Sequence, residues 1–312
     1  MWRLFNKLRK SGVMSINKRN KSYVLQYNRR KYYPLVDNKL QSKKLAIAHN
    51  INVPPLYATI ESEHQLKKLE SILDPFSDFV IKPAHGAGGD GIVVIRDRVM
   101  GRYRQINGEL LTIQDLQYHI SRLLSGAFSL SGHPDFAIIE YRVQVDPVFA
   151  SVSYEGVPDI RVITLLGYPA MAMLRLPTRL SGGKANLHQG AIGVGVDLAT
   201  GKTLAGVHHN DPIDFHPDTL ESIIGLTVPY WQQILTTAAS CFELTNLGYL
   251  GVDIVLDKTH GPLMLELNAR PGLNIQIANA EGALKRYQKI ENHAELVDET
   301  VEQRVKFSQQ RL

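Results

Sequence analysis

The stretch GYLGVDIVLDKTHGPLMLELNARPGLN, residues 248–274, decides the fold of this 312-residue chain. It contains two apolar runs, Tyr249–Leu256 and Pro262–Leu267, which are joined by the turn segment Asp257–Gly261. Two apolar runs separated by a short segment that contains glycine are typical of a β-hairpin. We therefore predict two antiparallel strands over these residues.

Three oxygen-bearing side chains lie in this predicted hairpin. Asp253 belongs to the first run, and Glu266 and Asn268 lie in or just past the second. Side chains alternate between the two faces of a strand, so Glu266 and Asn268 share one face. Carboxylates among Val, Ile and Leu are costly to bury unless a cation or a donor satisfies them. Two carboxylates and an amide oxygen suit Mg²⁺, and Mg²⁺ with nucleotide phosphates fits best.

An alternative for the same residues is an exposed hairpin whose polar face lies in water. The sequence Ala-Arg-Pro-Gly follows at once and places the cation Arg270 beside the acids. This combination favours the magnesium site over the exposed hairpin.

The second informative segment is FVIKPAHGAGGDGIVVI, residues 79–95. A short apolar strand delivers Lys82, and a loop rich in glycine follows. Glycines let successive backbone N–H groups turn toward an anion, and Lys82 adds a mobile positive charge, so phosphate is the expected ligand. The glycines of the loop are Gly86, Gly88, Gly89 and Gly91.

Two well-known phosphate-binding loops are excluded for this segment. The dinucleotide-binding fingerprint requires a helix after the glycines, but Ile92–Ile95 is β-branched throughout and predicts a strand. The Walker loop ends in Gly-Lys-Ser/Thr, whereas Lys82 precedes the glycines. What remains is a strand, a glycine flap and a second strand that could fold over a triphosphate, with a merely flexible hairpin as the alternative.

Composition limits the class of protein. The hydrophobic content of 44% is ordinary for a soluble globular protein. The single cysteine, Cys241, excludes disulfide frameworks and cysteine metal clusters. The sequence has no apolar run of about 18 residues and no signal-peptide pattern. We therefore expect a cytoplasmic protein.

The positive charge is concentrated at the start of the chain. Residues 1–31 hold ten of the 35 Lys and Arg residues and no acid, so the remaining chain has 25 basic and 30 acidic residues. The segment begins MWRLFNKLRK, with Trp2, Phe5 and Leu8 on one helical face. Such an arm could contact the inner membrane face, dock on an acidic partner, or pack on the protein itself. Nucleic acid is not expected as a partner, because the arm has no recognisable fold motif.

Apolar residues in the next segment predict a helix over residues 15–33, with Ile16, Tyr23, Val24 and Tyr27 on its packed face. Its asparagines and arginines indicate that it packs and forms hydrogen bonds.

Several motifs in order along the chain resemble the ATP-grasp superfamily, which joins a carboxylic acid to an amine or thiol through an acyl phosphate. The resemblance covers about residues 14–285, and no single motif carries it alone. The motifs are Asp37–Leu40 with Ile51–Pro55, the flap Phe79–Ile92, the hinge strand Ile138–Val143, Pro158–Val162, Lys184–Gly190, and the ligands Asp253, Glu266 and Asn268.

Within the superfamily the chain resembles alpha-L-glutamate ligase-like proteins related to RimK, and it is also similar to sugar-transfer-associated ATP-grasp proteins. It departs from RimK-type members in two ways. Only about thirty-five residues precede the first lysine, too few for the usual preceding domain. Lys184 also replaces an arginine, which keeps the charge and loses the bidentate fork.

The resemblance implies an α+β fold with two lobes of mostly antiparallel sheet plus helices gripping ATP, without a full pre-ATP-grasp domain. The expected regions are a basic helical arm at 1–35, an N-terminal lobe at 36–145 with its flap at about 77–145, and a C-terminal lobe at 146–312 with the magnesium hairpin and a helical tail.

The resemblance also implies roles for individual residues. Lys39, Lys82 and the flap would bind the phosphates of ATP, with His85 as a further phosphate contact. Lys43 and Lys44 are alternatives to Lys39 as the phosphate-binding lysine. The adenine slot would be formed by Glu140, Tyr141 and Val143. The residues expected at the acyl phosphate and the substrates are Arg161, Arg270, Lys184, Asn186 and His188.

Three of these residues could instead have purely structural roles. Glu140 could pair with Arg142, Arg161 could pair with Asp159, and His188 could be a structural hydrogen-bond donor.

The implied activity is an ATP-dependent carboxylate–amine ligase that uses two Mg²⁺ ions, with Mn²⁺ as a substitute. Glutamate or another amino acid would be added to a peptide or small molecule. The alternatives are a ligase on a sugar-linked or cell-surface acceptor, and a nucleotide-binding partner module without turnover. A homo-oligomer is compatible with the sequence.

Overall fold

The computed structural model of the protein describes residues 11–86, 88–129 and 132–312. The described residues divide into two compact units. The smaller unit consists of Asn38–Lys43 and Val53–Val143, and the larger unit contains residues 11–37, 44–52 and 144–312.

The smaller unit is built on a six-stranded antiparallel sheet with the strand order β1-β6-β2-β3-β4-β5. Neighbouring strands are joined by main-chain hydrogen bonds, and β6 lies between β1 and β2. The strands are β1 (Leu56–Ile60), β2 (Phe79–Pro83), β3 (Val93–Val99), β4 (Arg102–Gln105), β5 (Leu110–Leu111) and β6 (Ala137–Glu140).

One face of this sheet is covered by the helix Ile113–Leu124. Thr112 and Asp115 cap its first turn by accepting each other's backbone N–H groups. Its apolar residues recur with helical spacing and join Phe79 and Ile81 in one buried cluster. Because Phe79 and Ile81 point into this core, alternation places Val80 and Lys82 on the opposite face of the sheet.

The larger unit is built on a seven-stranded antiparallel sheet with the order β11-β10-β9-β8-β7-β12-β13. Helix α8 (Trp231–Thr245) packs on β7, β8 and β12 of this sheet. The strands are β7 (Asp159–Leu165), β8 (Tyr168–Leu176), β9 (Ile192–Val196), β10 (Thr203–His208), β11 (Asp211–Ile213), β12 (Tyr249–Asp257) and β13 (Gly261–Asn268).

The helices of the described residues are mostly short. Besides the α-helices there is one π-helix, Asn20–Val24, and there are 3-10 helices at Arg30–Tyr32, Pro147–Val152 and Leu187–Gln189. The α-helices are α1 (Ile16–Arg19), α2 (Leu25–Tyr27), α3 (Pro34–Asp37), α4 (Lys39–Ala48), α5 (Glu63–Leu66), α6 (Leu69–Leu73), α7 (Ile113–Leu124), α8 (Trp231–Thr245), α9 (Asn274–Ala278), α10 (Leu284–Ala294) and α11 (Val301–Arg311).

The expected α+β class, with two mostly antiparallel sheets, is confirmed. The hairpin predicted over residues 248–274 is formed by β12 and β13. The strand before the glycine flap and the strand after it are β2 and β3, which pair antiparallel.

The predicted continuous helix over residues 15–33 is wrong. The chain instead forms α1, the π-helix Asn20–Val24, α2 and a 3-10 turn. Asn28 takes an extended conformation because its side chain leaves the helix to bond the larger sheet. Tyr23 and Val24 are buried in the core of the larger unit and Tyr27 packs against it, as predicted, but Ile16 is exposed and the prediction for it is wrong.

We call residues 11–37 the N-terminal segment. Met14, Tyr23 and Val24 belong to the same buried cluster as Tyr249 and Tyr287. The arm's first ten residues, with Trp2, Phe5 and Leu8, lie outside the described residues. No helix among the described residues is long and apolar enough to span a membrane.

The Asn28 side chain fastens this segment to the larger sheet. Its amide nitrogen donates to the carbonyl oxygens of Tyr249 at 2.7 Å and Ala269 at 2.9 Å, and its oxygen accepts from Tyr249 N at 2.9 Å. Asn28 is only 2% exposed, so water cannot replace these bonds.

We expect Asn28→Ala to lower the free energy of unfolding by about 2–4 kcal/mol, because buried backbone groups lose their partners. Urea unfolding followed by circular dichroism measures the change. The control is Gln26→Ala on the exposed side of the same segment, with an expected change within about 0.5 kcal/mol. Equal losses in both variants would contradict this role of Asn28.

Candidate functional site

A buried group of charges lies on the Lys82 face of the smaller sheet. Glu140 in β6 accepts an ion pair from Lys82 Nζ at 2.5 Å and from Lys43 Nζ at 2.9 Å. Lys43 also donates to the carbonyl oxygen of Pro54. We call Lys43, Lys82 and Glu140 the lysine cluster. Its three side chains are buried and carry a formal net charge of +1.

Burial and charge compete at the lysine cluster. Burial alone would raise the pKa of Glu140, but the ammonium groups of Lys82 and Lys43 outweigh burial and lower that pKa. Burial lowers the pKa of Lys43, and the neighbouring Lys82 lowers it further against the opposing pull of Glu140. The excess positive charge makes the cluster suitable for an anion.

The contacts of the predicted lysines differ from those expected. Lys43, a rival in the sequence argument, reaches the buried cluster, whereas Lys39 donates to the carbonyl oxygen of Gly86 in the flap. Both lie on helix α4, one turn apart, so helical spacing is the signal that links them.

The glycine flap is anchored at both ends. His85 donates its backbone N–H to Asp135 Oδ2 at 2.9 Å, and its Nδ1 lies 2.7 Å from Oδ1 of the same buried carboxylate. A Cβ on Gly86 would lie 2.2 Å from Pro83 Cγ, and one on Gly91, at a φ of +74°, would lie 2.7 Å from Phe128 Cγ. These close approaches explain two of the glycines. Gly88 and Gly89 also have positive φ.

Asp135 is a residue at the base of the flap that the sequence did not predict. It is 3% exposed and holds His85 at the base of the flap. No local motif marks it, because its partner lies 50 residues away in the chain.

The predicted adenine residues lie at the end of β6. The side chain of Glu140 is bound by the two lysines, so it pairs with them and not with Arg142, which bonds Asp78 instead. The backbone N–H of Tyr141 donates to Pro55 O at 2.9 Å, and Val143 is buried. Contact of these residues with adenine stays a prediction.

A second charged group lies on one face of the larger sheet. Asp253 stands directly opposite Arg161 on one side and opposite Glu266 on the other. The register shifts by one residue after this pair, since Ile254 pairs with Met264. Asn268 follows two residues after Glu266 and stands opposite Gly251, so it shares their face.

Two arginines hold Asp253. Arg161 Nε and Nη2 donate to its two oxygens at 2.7 and 2.6 Å, and Arg175 Nη2 donates to Oδ2 at 2.8 Å. Arg175 also forms a bidentate pair with Asp159. The alternative that Arg161 pairs with Asp159 is therefore wrong, since each of them has another main partner.

We call Asp159, Arg161, Arg175, Asp253 and Glu266 the sheet cluster, and its formal net charge is −1. Burial would raise the pKa of Asp253, but Arg161 and Arg175 outweigh burial and lower it to about 2. Burial raises the pKa of Asp159 to about 6 despite Arg175, and the nearby Asp253 contributes to the rise.

Oxygen donors for a divalent cation fit this arrangement. A carboxylate has about four acceptor positions, and the arginines take three of those on Asp253, which leaves one on Oδ1. Glu266 is half-buried, and Asn268 Oδ1 accepts the backbone N–H of Arg270 at 2.9 Å. Among the described residues no group of three His, Cys, Asp or Glu forms a metal site. A metal at this face would thus use two carboxylates and the amide.

Arg175 is a second residue that the sequence argument missed. It is an isolated cation in the otherwise apolar strand Tyr168–Leu176, and this is the signal that could have revealed it.

The remaining predicted substrate residues lie in two loops. Lys184 and His188 are exposed, and Asn186 Oδ1 accepts the backbone N–H of His188 at 3.0 Å, which gives Asn186 a structural role. Leu187 packs over Gly193, which stands opposite Arg175, so this turn lies near the sheet cluster. Arg270 is exposed, and its guanidinium lies 4.6 Å from the centre of the Tyr33 ring.

Similar proteins include three with solved structures. The ATP-grasp ligase PsnB is 16% identical over 83% of this chain and 60% of its own, with a TM-score of 0.44. The D-alanine-D-alanine ligase from Coxiella burnetii is 12% identical over 85% of this chain and 61% of its own, with a TM-score of 0.44. Rhizobium etli pyruvate carboxylase is 14% identical over 89% of this chain and 21% of its own, with a TM-score of 0.51.

The likeness to the carboxylase concerns the fold alone, and the chain spans about 60% of the length of PsnB. Comparison with curated proteins gives no significant match.

One protein-family model matches most of the chain. The family described as sugar-transfer associated ATP-grasp matches residues 18–292. The resemblance to the ATP-grasp superfamily is therefore confirmed, and the narrower resemblance to alpha-L-glutamate ligase-like proteins stays a prediction. Because the match covers most of its 312 residues, the chain belongs to the sugar-transfer associated ATP-grasp family.

Proposed function

We propose that the protein is an ATP-dependent ligase that joins a carboxylic acid to an amine through an acyl phosphate and releases ADP and phosphate. The observation that carries the proposal is the shared sheet face of Asp253, Glu266 and Asn268, with Arg161 opposite Asp253, in a member of an ATP-grasp family. Phosphoryl transfer asks mainly for positioned charges, so the reaction needs no side-chain nucleophile.

The phosphates of ATP are assigned to the smaller unit. The lysine cluster holds one more positive charge than it can pair internally, and buried cations without full compensation favour a phosphate. Lys82 lies at the end of β2, directly before the flap, so its ammonium and the flap backbone approach the same ligand. Lys39 and His85 support the flap from its base.

Magnesium is assigned to Asp253, Glu266 and Asn268 of the larger unit. When bound there, Mg²⁺ neutralises phosphate oxygens during transfer. Two carboxylates and an amide oxygen on one sheet face are the oxygen donors that Mg²⁺ prefers. Arg161 and Arg175 hold Asp253 in one orientation and leave one of its oxygen positions available.

The substrates are assigned to the exposed groups near the sheet cluster. Arg270 and the Nη1 of Arg161 supply N–H donors for the oxygens of the acid and of the acyl phosphate. The loop with Lys184, Asn186 and His188 is the candidate contact for the amine-bearing substrate.

Two acceptors remain as candidates. The resemblance to glutamate ligase-like proteins favours an amino acid, added to a peptide or small molecule. The description of the matching family as sugar-transfer associated favours a sugar-linked acceptor. Supplying amino acids and amino sugars as separate acceptor pools, and measuring ADP release and ligated product by mass spectrometry, discriminates these candidates.

The test of the reaction class uses the full chain with MgATP, hydroxylamine and pooled amino and dicarboxylic acids. We expect ADP and a hydroxamate, because hydroxylamine captures an acyl phosphate. Formation of AMP instead would indicate an adenylate and would contradict the proposal. ATP binding without any turnover would support the nucleotide-binding partner module.

We expect Glu266→Gln to reduce ADP release at least about 100-fold, because a neutral amide replaces a charged metal ligand. Its melting temperature should stay close to that of the wild type, since Glu266 is only half-buried and lies in the edge strand β13. The matched control is Glu295→Gln, an exposed acid in the larger unit, which should retain full activity. Undiminished ADP release by the Glu266 variant would overturn the magnesium assignment.

Replacement of Lys82 tests the phosphate assignment. We expect Lys82→Met to weaken ATP binding about 10- to 100-fold, the effect of losing one charge-assisted hydrogen bond. Calorimetric titration measures the affinity, and circular dichroism verifies that the variant is folded. Lys44→Met, an exposed residue of helix α4, is the control with unchanged affinity. An ATP affinity equal to that of the wild type in the Lys82 variant would rule out this assignment.

A further inference from the structure

We propose that Tyr33 and Arg19 of the N-terminal segment are positioning residues that hold Arg270 ready to bind an oxyanion of the substrate. This inference rests on the proposed function, which places Arg270 at the acid and its acyl phosphate. It gives the N-terminal segment a part in the site and not only in the fold.

The guanidinium of Arg270 is held by an aromatic face and not by an acid. It lies over the ring of Tyr33 at 4.6 Å from the centroid, and it forms no ion pair with any residue in the described part of the chain. A cation–π contact takes up no hydrogen-bond acceptor, so the N–H groups of Arg270 stay available for an anion. The contact therefore orients the cation without neutralising it.

The two arginines of the sheet cluster are held differently. Arg161 directs Nε and Nη2 to Asp253, and Arg175 directs Nε and Nη2 to Asp159 with a further bond to Asp253. Most of their charge is compensated by these carboxylates. Arg270, two residues after Asn268, thus carries a positive charge that no acid in the described part of the chain pairs, and such a charge suits a carboxylate or phosphoryl oxygen.

The backbone that carries Arg270 is also held from the N-terminal segment. Arg19 Nη1 donates to Pro271 O at 2.9 Å, directly after Arg270. Asn20 Oδ1 in turn accepts from Arg19 Nε at 3.0 Å and Nη2 at 2.7 Å, which fixes the plane of that guanidinium. The bonds lie at the start of the π-helix Asn20–Val24, a rare element that is frequent at functional sites.

Tyr33 is well placed to keep a fixed orientation. It is 8% exposed and lies between the 3-10 turn Arg30–Tyr32 and helix α3, which packs on β13. The ring and the turn after Asn268 are thus both fixed to the strand that carries Glu266. A mobile exposed arginine would lose conformational freedom on binding an anion, and this arrangement reduces that loss before binding.

The experiment is a double-mutant cycle on the full chain, read by calorimetric or ³¹P NMR titration with inorganic orthophosphate. We expect Tyr33→Leu to weaken phosphate binding about 3- to 30-fold, as expected for the loss of a cation–π contact. Tyr33→Phe keeps the aromatic face and should retain the wild-type affinity. Arg19→Gln, a second variant at a half-buried position, should weaken binding in the same direction.

The decisive comparison is made in the Arg270→Ala background. There, neither Tyr33→Leu nor Arg19→Gln should weaken phosphate binding further, because both act through Arg270. Tyr32→Leu is the control, since that ring lies under Lys31 at 4.7 Å and does not contact Arg270. Equal losses with and without Arg270 would mean a merely structural role and would overturn the proposal, as would wild-type affinity in Tyr33→Leu.

Failure of the proposal is distinguishable from failure of the proposed function. Phosphate binding needs neither the acid nor the amine, so the cycle can be read whether or not the wild type forms ADP and hydroxamate. If the wild type does not bind orthophosphate, or if Arg270→Ala binds it as well as the wild type, the positioning role is overturned. In an active wild type, Tyr33→Leu should raise the KM for the acid more than it lowers kcat for ATP turnover.

Discussion

The buried carboxylate of Asp253, in the antiparallel sheet of the larger unit, is the constraint on which that unit depends. A buried charge is costly unless it is paired, and removing one partner of a buried pair typically costs about 3–5 kcal/mol. Arg161 reaches Asp253 from the adjacent strand β7, and Arg175 reaches it from β8, on the far side of β7. A slip of one residue in either strand would turn these arginines to the other face. The charge thus favours the register of β7, β8 and β12 that keeps Arg161, Arg175 and Asp253 on one face.

The smaller unit also buries paired charges, but its excess charge is positive. There a single acid, Glu140, is buried between Lys43 and Lys82, and the excess charge is positive. In the larger unit Asp159 and Asp253 share Arg161 and Arg175, and Glu266 stands opposite Asp253, so the acids of the sheet cluster outnumber its arginines by one. The first arrangement suits phosphate and the second suits a divalent cation. This division of charge is the electrostatic basis for assigning phosphate and magnesium to different units.

The N-terminal segment shows how a short piece of chain can take part in both fold and site. Its apolar residues Tyr23 and Val24 enter the core of the larger unit, while Asn28 satisfies backbone groups at the start of β12 and just after β13. Asn28 can do so only because the helix breaks before it. Asn28 is extended where the helical pattern continues, and in that conformation its side chain bonds the larger sheet. Tertiary hydrogen bonds outweighed the local preference.

The sequence by itself determined the elements whose evidence is local: the hairpin of β12 and β13, the strands around the glycine flap, and the positions of Asp253, Glu266 and Asn268 within them. Alternation of side chains and the turn preferences of glycine act over a few residues, so they can be recognised along the chain. Only the tertiary structure decided which charges meet. Arg175 lies 78 residues from Asp253, and Asp135 lies 50 residues from His85. Electrostatic pairing depends on distances in space, and the order of strands in each sheet sets those distances.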